Sequence, residues 1–301
     1  MKKVLSILLA VIMLLSMSTT AFAADVSTAA NSADYYNETV YISAEDMIVP
    51  YSAKELGTPI GQVMQTVYVK ETFNDDGTLL ESRLMNKQEV DAYKAEIAGR
   101  LQSGELVQES SNGVRSFPAD DNTSQGELTI TLTVYDRGNN VYSGWADAQW
   151  TNGIWILPDG EERPSNGKDY LAITWGGNGQ FKQQSKSISG SYQYDQGAIS
   201  FSQAQANSYA GYCWQFDETT WSILTRYYAD SIGAHIVIGK TYTTLKNKET
   251  AMRLTYIHTY DKLSGTIDFS IDTSGEAAAG VSLTTVEDQW QIQVDISGLI
   301  Y

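Results

Sequence analysis

Two histidines and one cysteine are the only imidazoles and the only thiol in this chain. His235 and His258 stand well apart, and neither has a second histidine or a cysteine pair at metal-ligand spacing. Zinc motifs are therefore absent from the sequence. Cys213 would become a thiolate nucleophile if the fold set it beside His235. Carboxylates offer a second chemistry. Asp147, Asp159, Glu161, Glu162, Asp268 and Asp272 lie on or between expected strands. A glycosidase needs two carboxyls facing one cleft, about 5–10 Å apart. No spacing selects such a pair, and strand alternation puts Asp268 and Asp272 on a solvated face.

Aromatic residues make the most suggestive pattern. Six of the seven tryptophans fall between Trp145 and Trp221. Trp175 is followed at once by Gly176-Gly177-Asn178-Gly179, which puts an indole at a strand end beside a turn. A flat aromatic at such a place can stack on a sugar ring while nearby amides bond its hydroxyls. Trp175, Asn178, Trp155 and Trp145 are the candidate ligand-binding residues. Trp150 and Trp290 are expected in the core.

Three further fragments carry weaker signals. Gly211-Tyr212-Cys213-Trp214 resembles the Gly-x-Cys-Trp core around the nucleophile of papain-like proteases, and Ala234-His235-Ile236-Val237-Ile238-Gly239 is similar to the strand bearing their base histidine. The resemblance spans ten residues and implies a Cys213–His235 cysteine protease. Here 22 positions separate the pair, where the family has well over 100. Asn74-Asp75-Asp76-Gly77 with Glu81 resembles part of a calcium loop, without the ligand alternation or the length of a whole one. No other cofactor is expected. Thr129 to Val134 and 266–273 alternate in the manner of pore-forming hairpins, a pattern that ordinary half-buried strands share.

The N-terminus has the three parts of a secretory signal: Lys2 and Lys3, an apolar run from Val4 to Leu15, and Ala21-Phe22-Ala23 as the cleavage site after Ala23. The run is shorter than the ~20 residues of a spanning helix, so no membrane anchor is expected after cleavage. The net charge is −16, and losing two lysines makes the exported chain more acidic. Such acidity excludes nucleic acid and anionic surfaces held by charge, and admits neutral polysaccharide or a basic protein. One cysteine gives no disulfide framework, so stability must come from burial.

The elements that must position these residues are mostly strands. Residues 290–296 and 266–272 place apolar side chains at every second position, each with one wet face and one core face. Asp-Gly at 76–77 marks a hairpin between extended runs at 63–73 and 78–85. Asn86 is an expected helix N-cap with Glu89 as its reciprocal partner, and Val90, Tyr93, Ile97 and Leu101 fall on one helical face. Residues 217–230 fit strand or helix, and we read them as strand. The expected organisation is a signal peptide (1–23), a leader (24–34), a small α+β unit (35–108), a linker (109–126) and a β-rich domain (127–301). That domain is an antiparallel β-sandwich or barrel-like fold. These observations lead to an exported, non-catalytic binding or surface-interaction protein with carbohydrate as the expected ligand. A secreted hydrolase and a pore former are the alternatives.

Overall fold

The structure, a computed structural model, describes residues 35–47, 56–74, 79–103, 108–109, 113–114, 123–151, 168–192, 197–222, 225–241, 248–259, 266–270, 278–284 and 289–300. The expected signal peptide with Ala23, the leader, the 75–78 turn, Trp155, Asp159, Glu161, Glu162 and Asp272 lie outside them. In chain order the elements are β1 (Asn37–Ser43), β2 (Thr58–Phe73), β3 (Leu79–Leu84), α1 (Lys87–Ser103), β4 (Gln108–Glu109), β5 (Gly113–Val114), β6 (Thr123–Asp136), β7 (Val141–Thr151), β8 (Lys168–Trp175) and β9 (Phe181–Tyr192). They continue with β10 (Phe201–Asn207), β11 (Gly211–Asp217), β12 (Thr219–Ser222), β13 (Thr225–Lys240), β14 (Glu249–Thr259), β15 (Thr266–Ser270), β16 (Gly280–Thr284) and β17 (Gln289–Ile300). Among the described residues no helix is long and apolar enough to cross a membrane.

Two antiparallel sheets make a sandwich. The larger runs β1-β2-β6-β7-β13-β12, with β3 also on β2 and β9 also on β13; the smaller runs β10-β11-β8-β14-β17. Alternation decides the faces. From the larger sheet Val67, Val69, Leu128, Ile130, Leu132, Ala146, Ala148, Ile236 and Ile238 point inward, and they meet Leu171, Ile173, Tyr212, Trp214, Leu254 and Val294 from the smaller one. Burying one such side chain contributes about 1.5–3 kcal/mol. In β17 the expected parity holds: Trp290, Ile292, Val294 and Ile296 are buried. The sheets approach closely at Gly144, where an added Cβ would lie 2.2 Å from Met252 Sδ.

The smaller sheet is covered on both faces. The β15–β16 hairpin lays Ile267 and Val281 over Tyr170, Ala172, Cys213 and Ile257, on the side away from the other sheet. This explains why β8 reads as a nearly unbroken apolar run. Residues 219–222 and 225–240 are strands, as read from the sequence.

The hairpin-plus-helix unit is present, and its cap is the reciprocal one: Glu89 N–H donates to Asn86 Oδ1 (3.1 Å), and Asn86 N–H donates to Glu89 Oε2 (3.0 Å). Val90 and Tyr93 of α1 pack on Tyr68 and Met85. One expectation is corrected. β6 begins at Thr123, inside the anticipated 109–126 linker, and pairs with β2 from Thr72↔Thr123 to Thr58↔Asp136. Residues 35–301 form one compact unit, because a 16-residue strand shared by hairpin and sandwich leaves no boundary between them.

Candidate functional site

Two places in the sandwich gather groups that can do chemistry. The first is the outer face of the larger sheet. Cross-strand pairing sets Trp145 opposite both His235 and Thr133, with Ser187 beyond His235. The next row is Thr131, Asp147, Gly233 and Ser189, and the one after is Thr129, Gln149 and Ser231. The rows continue onto β2, where Gln62 Nε2 donates to Thr133 Oγ1 (2.9 Å) and the Thr66 and Thr129 hydroxyls share a 2.8 Å bond. The result is a flat face rich in hydroxyls and amides.

Trp145 stands on that face, 37% exposed, stacked on the His235 ring at 4.1 Å between centroids and 26° between planes. Burial lowers the His235 pKa, and Arg137 lowers it further, so the ring is neutral near pH 7. Its Nε2 is buried and makes no hydrogen bond. Asp147 is exposed, although partial desolvation by its sheet neighbours raises its pKa. Gly233 keeps the row open beside it: a Cβ there would come within 3.4 Å of Asp147 Oδ1.

The second place is sealed between the sheets at one end of the core. Glu71, Asp169 and His258 have no solvent exposure, and Glu218 has 2%. The His258 Nδ1 faces Asp169 Oδ1 at 3.0 Å and Glu218 Oε1 at 3.5 Å, while Nε2 faces Glu71 Oε1 at 3.6 Å. Tyr256 donates its hydroxyl to Asp169 Oδ2, and Thr259 N–H reaches Asp169 Oδ1 at 3.3 Å. Trp290 stacks on His258 at 4.9 Å and donates Nε1–H to Ser82 Oγ (3.0 Å). Trp150, Phe216 and Tyr256 complete an aromatic shell. Burial works against a charged His258, yet the Asp169 and Glu218 carboxylates outweigh it and hold its pKa well above the usual value. Burial also raises Glu71, with His258 opposing. For Tyr256, burial and then Asp169 and Glu218 push the phenol well above its usual value. Asp169, Glu218 and His258 each offer one donor atom, all within 4.8 Å of one another, and could hold a metal ion.

The structure sorts the sequence candidates. Trp145 is exposed on the flat face. Trp175 is 1% exposed: it points between the sheets and fills the core, so it offers no ring to a ligand. The Gly-rich turn does follow it, but Gly177, Asn178 and Gly179 all have positive φ, and Asn178 (φ 46°) serves the backbone turn as one of the few types that tolerate it. The Cys213–His235 pair is not formed. Cys213 is buried under the β15–β16 hairpin and His235 is on the outer face of the other sheet, so the core lies between them. Burial also pushes the Cys213 thiol up, away from thiolate. Asp268 is exposed on β15, as its parity required.

Sequence reasoning missed the sealed cluster. A signal was available: Glu71 continues the inward parity of Val67 and Val69, Asp169 that of Leu171 and Ile173, and His258 that of Leu254 and Tyr256. Charged residues at core positions of strands need partners.

No protein-family model matches the chain, and no curated protein matches it. One solved structure that aligns with it, described as "AvmM Catalyzes Macrocyclization in Alchivemycin A Biosynthesis", covers 63% of this chain and 88% of its own, at 9% identity and a TM-score of 0.15. At that similarity it carries no argument about fold or chemistry.

Proposed function

We propose that this chain is a non-catalytic, exported binding protein whose flat outer face takes a neutral polysaccharide. The observation that carries the reading is Trp145: an exposed indole backed by a neutral imidazole, set among rows of Thr, Ser and Gln hydrogen-bonding groups. A pyranose ring has an apolar face for the indole and hydroxyls for the exposed Gln149 and Ser187. His235 stacks against the indole. Trp145 lies on a sheet face, which suits a chain laid across the strands. The acidity of the protein favours an uncharged ligand over an anionic one. The signal-peptide features at the N-terminus support action outside the cell.

Thermal melts with a panel of neutral, wall and plant polysaccharides test the reading. A ligand at a hundred times its Kd stabilises the fold by about 2.7 kcal/mol, which for a unit of this size raises Tm by roughly 5–11 °C. Binding should quench or shift Trp fluorescence and be weakened in Trp145→Ala. Flat melts across the panel, or a shift that Trp145→Ala leaves unchanged, would remove the proposal.

A further inference from the structure

We infer that the sealed cluster is a site for one divalent transition-metal ion, ligated by His258 Nδ1, Asp169 and Glu218, with Glu71 accepting the N–H of His258 Nε2. The inference is independent of the polysaccharide reading, since the two places lie on opposite sides of the larger sheet's backbone.

The donor geometry comes first. Donors around an ion with bonds of ~2.1 Å stand about 3.0–3.4 Å from one another. His258 Nδ1 is 3.0 Å from Asp169 Oδ1 and 3.5 Å from Glu218 Oε1, and all three donor atoms fall within a 4.8 Å span. Three long-range strand contacts thus bring an imidazole and two carboxylates to ligand spacing.

Glu71 is the second observation. It is fully buried, and its carboxylate interacts with His258 and Ser82 without a partner at ordinary hydrogen-bond distance. It faces His258 Nε2 at 3.6 Å, on the other edge of the ring from Asp169 and Glu218. A metal-binding imidazole commonly gives its second N–H to a carboxylate, which fixes the tautomer and leaves the lone pair on the ligating nitrogen. With the proton on Nε2, the lone pair of Nδ1 is directed at the Asp169 and Glu218 side of the ring, where the ion would sit. The supports of Asp169 fit the same plan: the Tyr256 hydroxyl occupies Oδ2 and the Thr259 N–H reaches Oδ1, so the carboxylate is held in one orientation.

Charge and softness select the ion. Two carboxylate ligands balance a dication in a buried region. One imidazole with two carboxylates suits zinc or manganese. Calcium wants six to eight oxygen donors, which these residues do not supply. Because the cluster has no solvent exposure, the ion would enter as the chain folds and would resist chelators in the native state.

The test uses the full exported chain, expressed with Zn2+ and Mn2+ in the medium. Elemental analysis of the native protein is expected to give close to one equivalent of a single metal. Unfolding in guanidinium with a chelator, followed by refolding with or without Zn2+, should raise Tm by several degrees in the metal arm. Refolding with Co2+ should give visible d–d bands. Glu71→Gln keeps size and hydrogen-bonding capacity, and is expected to weaken metal affinity about 10–100-fold. Native protein with under about a tenth of an equivalent of any transition metal overturns the site, whether or not the chain refolds. In that case protons alone balance the cluster. Wild-type affinity in Glu71→Gln removes the role given to Glu71.

Discussion

Both histidines of this protein stack on a tryptophan, and the two pairs have opposite fates. Trp145 and His235 stack at 4.1 Å on an outer sheet face, and Trp290 and His258 at 4.9 Å inside the core. The interplanar angles are nearly the same, 26° and 29°. The surroundings are not. Among the described residues His235 has no carboxylate partner at ion-pair distance, and burial with Arg137 lowers its pKa. His258 is more deeply buried, yet Asp169 and Glu218 raise its pKa well above the ordinary value. Ring stacking leaves the protonation state open, and nearby charge settles it. The outer pair becomes a neutral platform, and the inner pair becomes the hub of a charged cluster.

The largest test of this contrast is His258→Ala. It leaves Glu71, Asp169 and Glu218 buried around a void. Breaking a buried charged network in this way costs about 3–5 kcal/mol, so Tm should fall by roughly 6–20 °C in a calorimetric melt. The matching substitution His235→Ala, at a half-buried outer position, should cost under about 1 kcal/mol in the same experiment. Equal losses would erase the distinction between the two pairs.

Trp145→Ala comes next. Folding stability should change by no more than about 0.5 kcal/mol. Affinity for the polysaccharide found in the melting screen should drop about 5–30-fold, the equivalent of about 1–2 kcal/mol, measured by titration calorimetry. A stability loss comparable to His258→Ala would mean that the indole is a core residue.

Smaller effects follow pH. The folded pKa of His235 is lowered, so its contribution is fully present above the unfolded value near 6.5 and is lost as pH falls from there through the folded value. Titration of its ring protons by NMR should show a midpoint below 6.5, and a midpoint above it would contradict the neutral platform. At the helix, the Arg83 ion pair holds Glu89 at about 2, helped by the Asn86 N–H and opposed by burial. That contribution is present above about 4.5 and is lost as pH falls toward 2. Glu89→Ala removes half of the cap and the bidentate contact to Arg83 (2.5 and 2.9 Å), and should cost about 1 kcal/mol at pH 7 and less at pH 3 by urea titration.

Local features were legible in the sequence because local rules govern them. The alternation at 290–296 placed Trp290 and Ile292 inward. The Asn86–Glu89 cap formed as the spacing required, since its partners are three positions apart. The sequence also marked which residue types could bind or ligate.

Which tryptophan would be exposed was not legible. Trp145 and Trp175 both sit on strands that border a turn. Trp175 faces the second sheet, and Trp145 faces outward. Pairing order and sheet stacking decided this, and neither is written in either strand alone. The Cys213–His235 fragments failed for the same reason, because alternation sent the two side chains to opposite outer faces. The sealed cluster is the clearest case. Its carboxylates and imidazole come from β2, β8, β14 and the residue after β11, and no short motif joins them. In an antiparallel sandwich each strand shows only its own parity, and strand register and the stacking of the sheets bring distant positions together. The sequence by itself determined the strands, their faces and the helix cap. The tertiary structure alone decided that His258 would meet three carboxylates and that His235 would stack on Trp145 at an outer face.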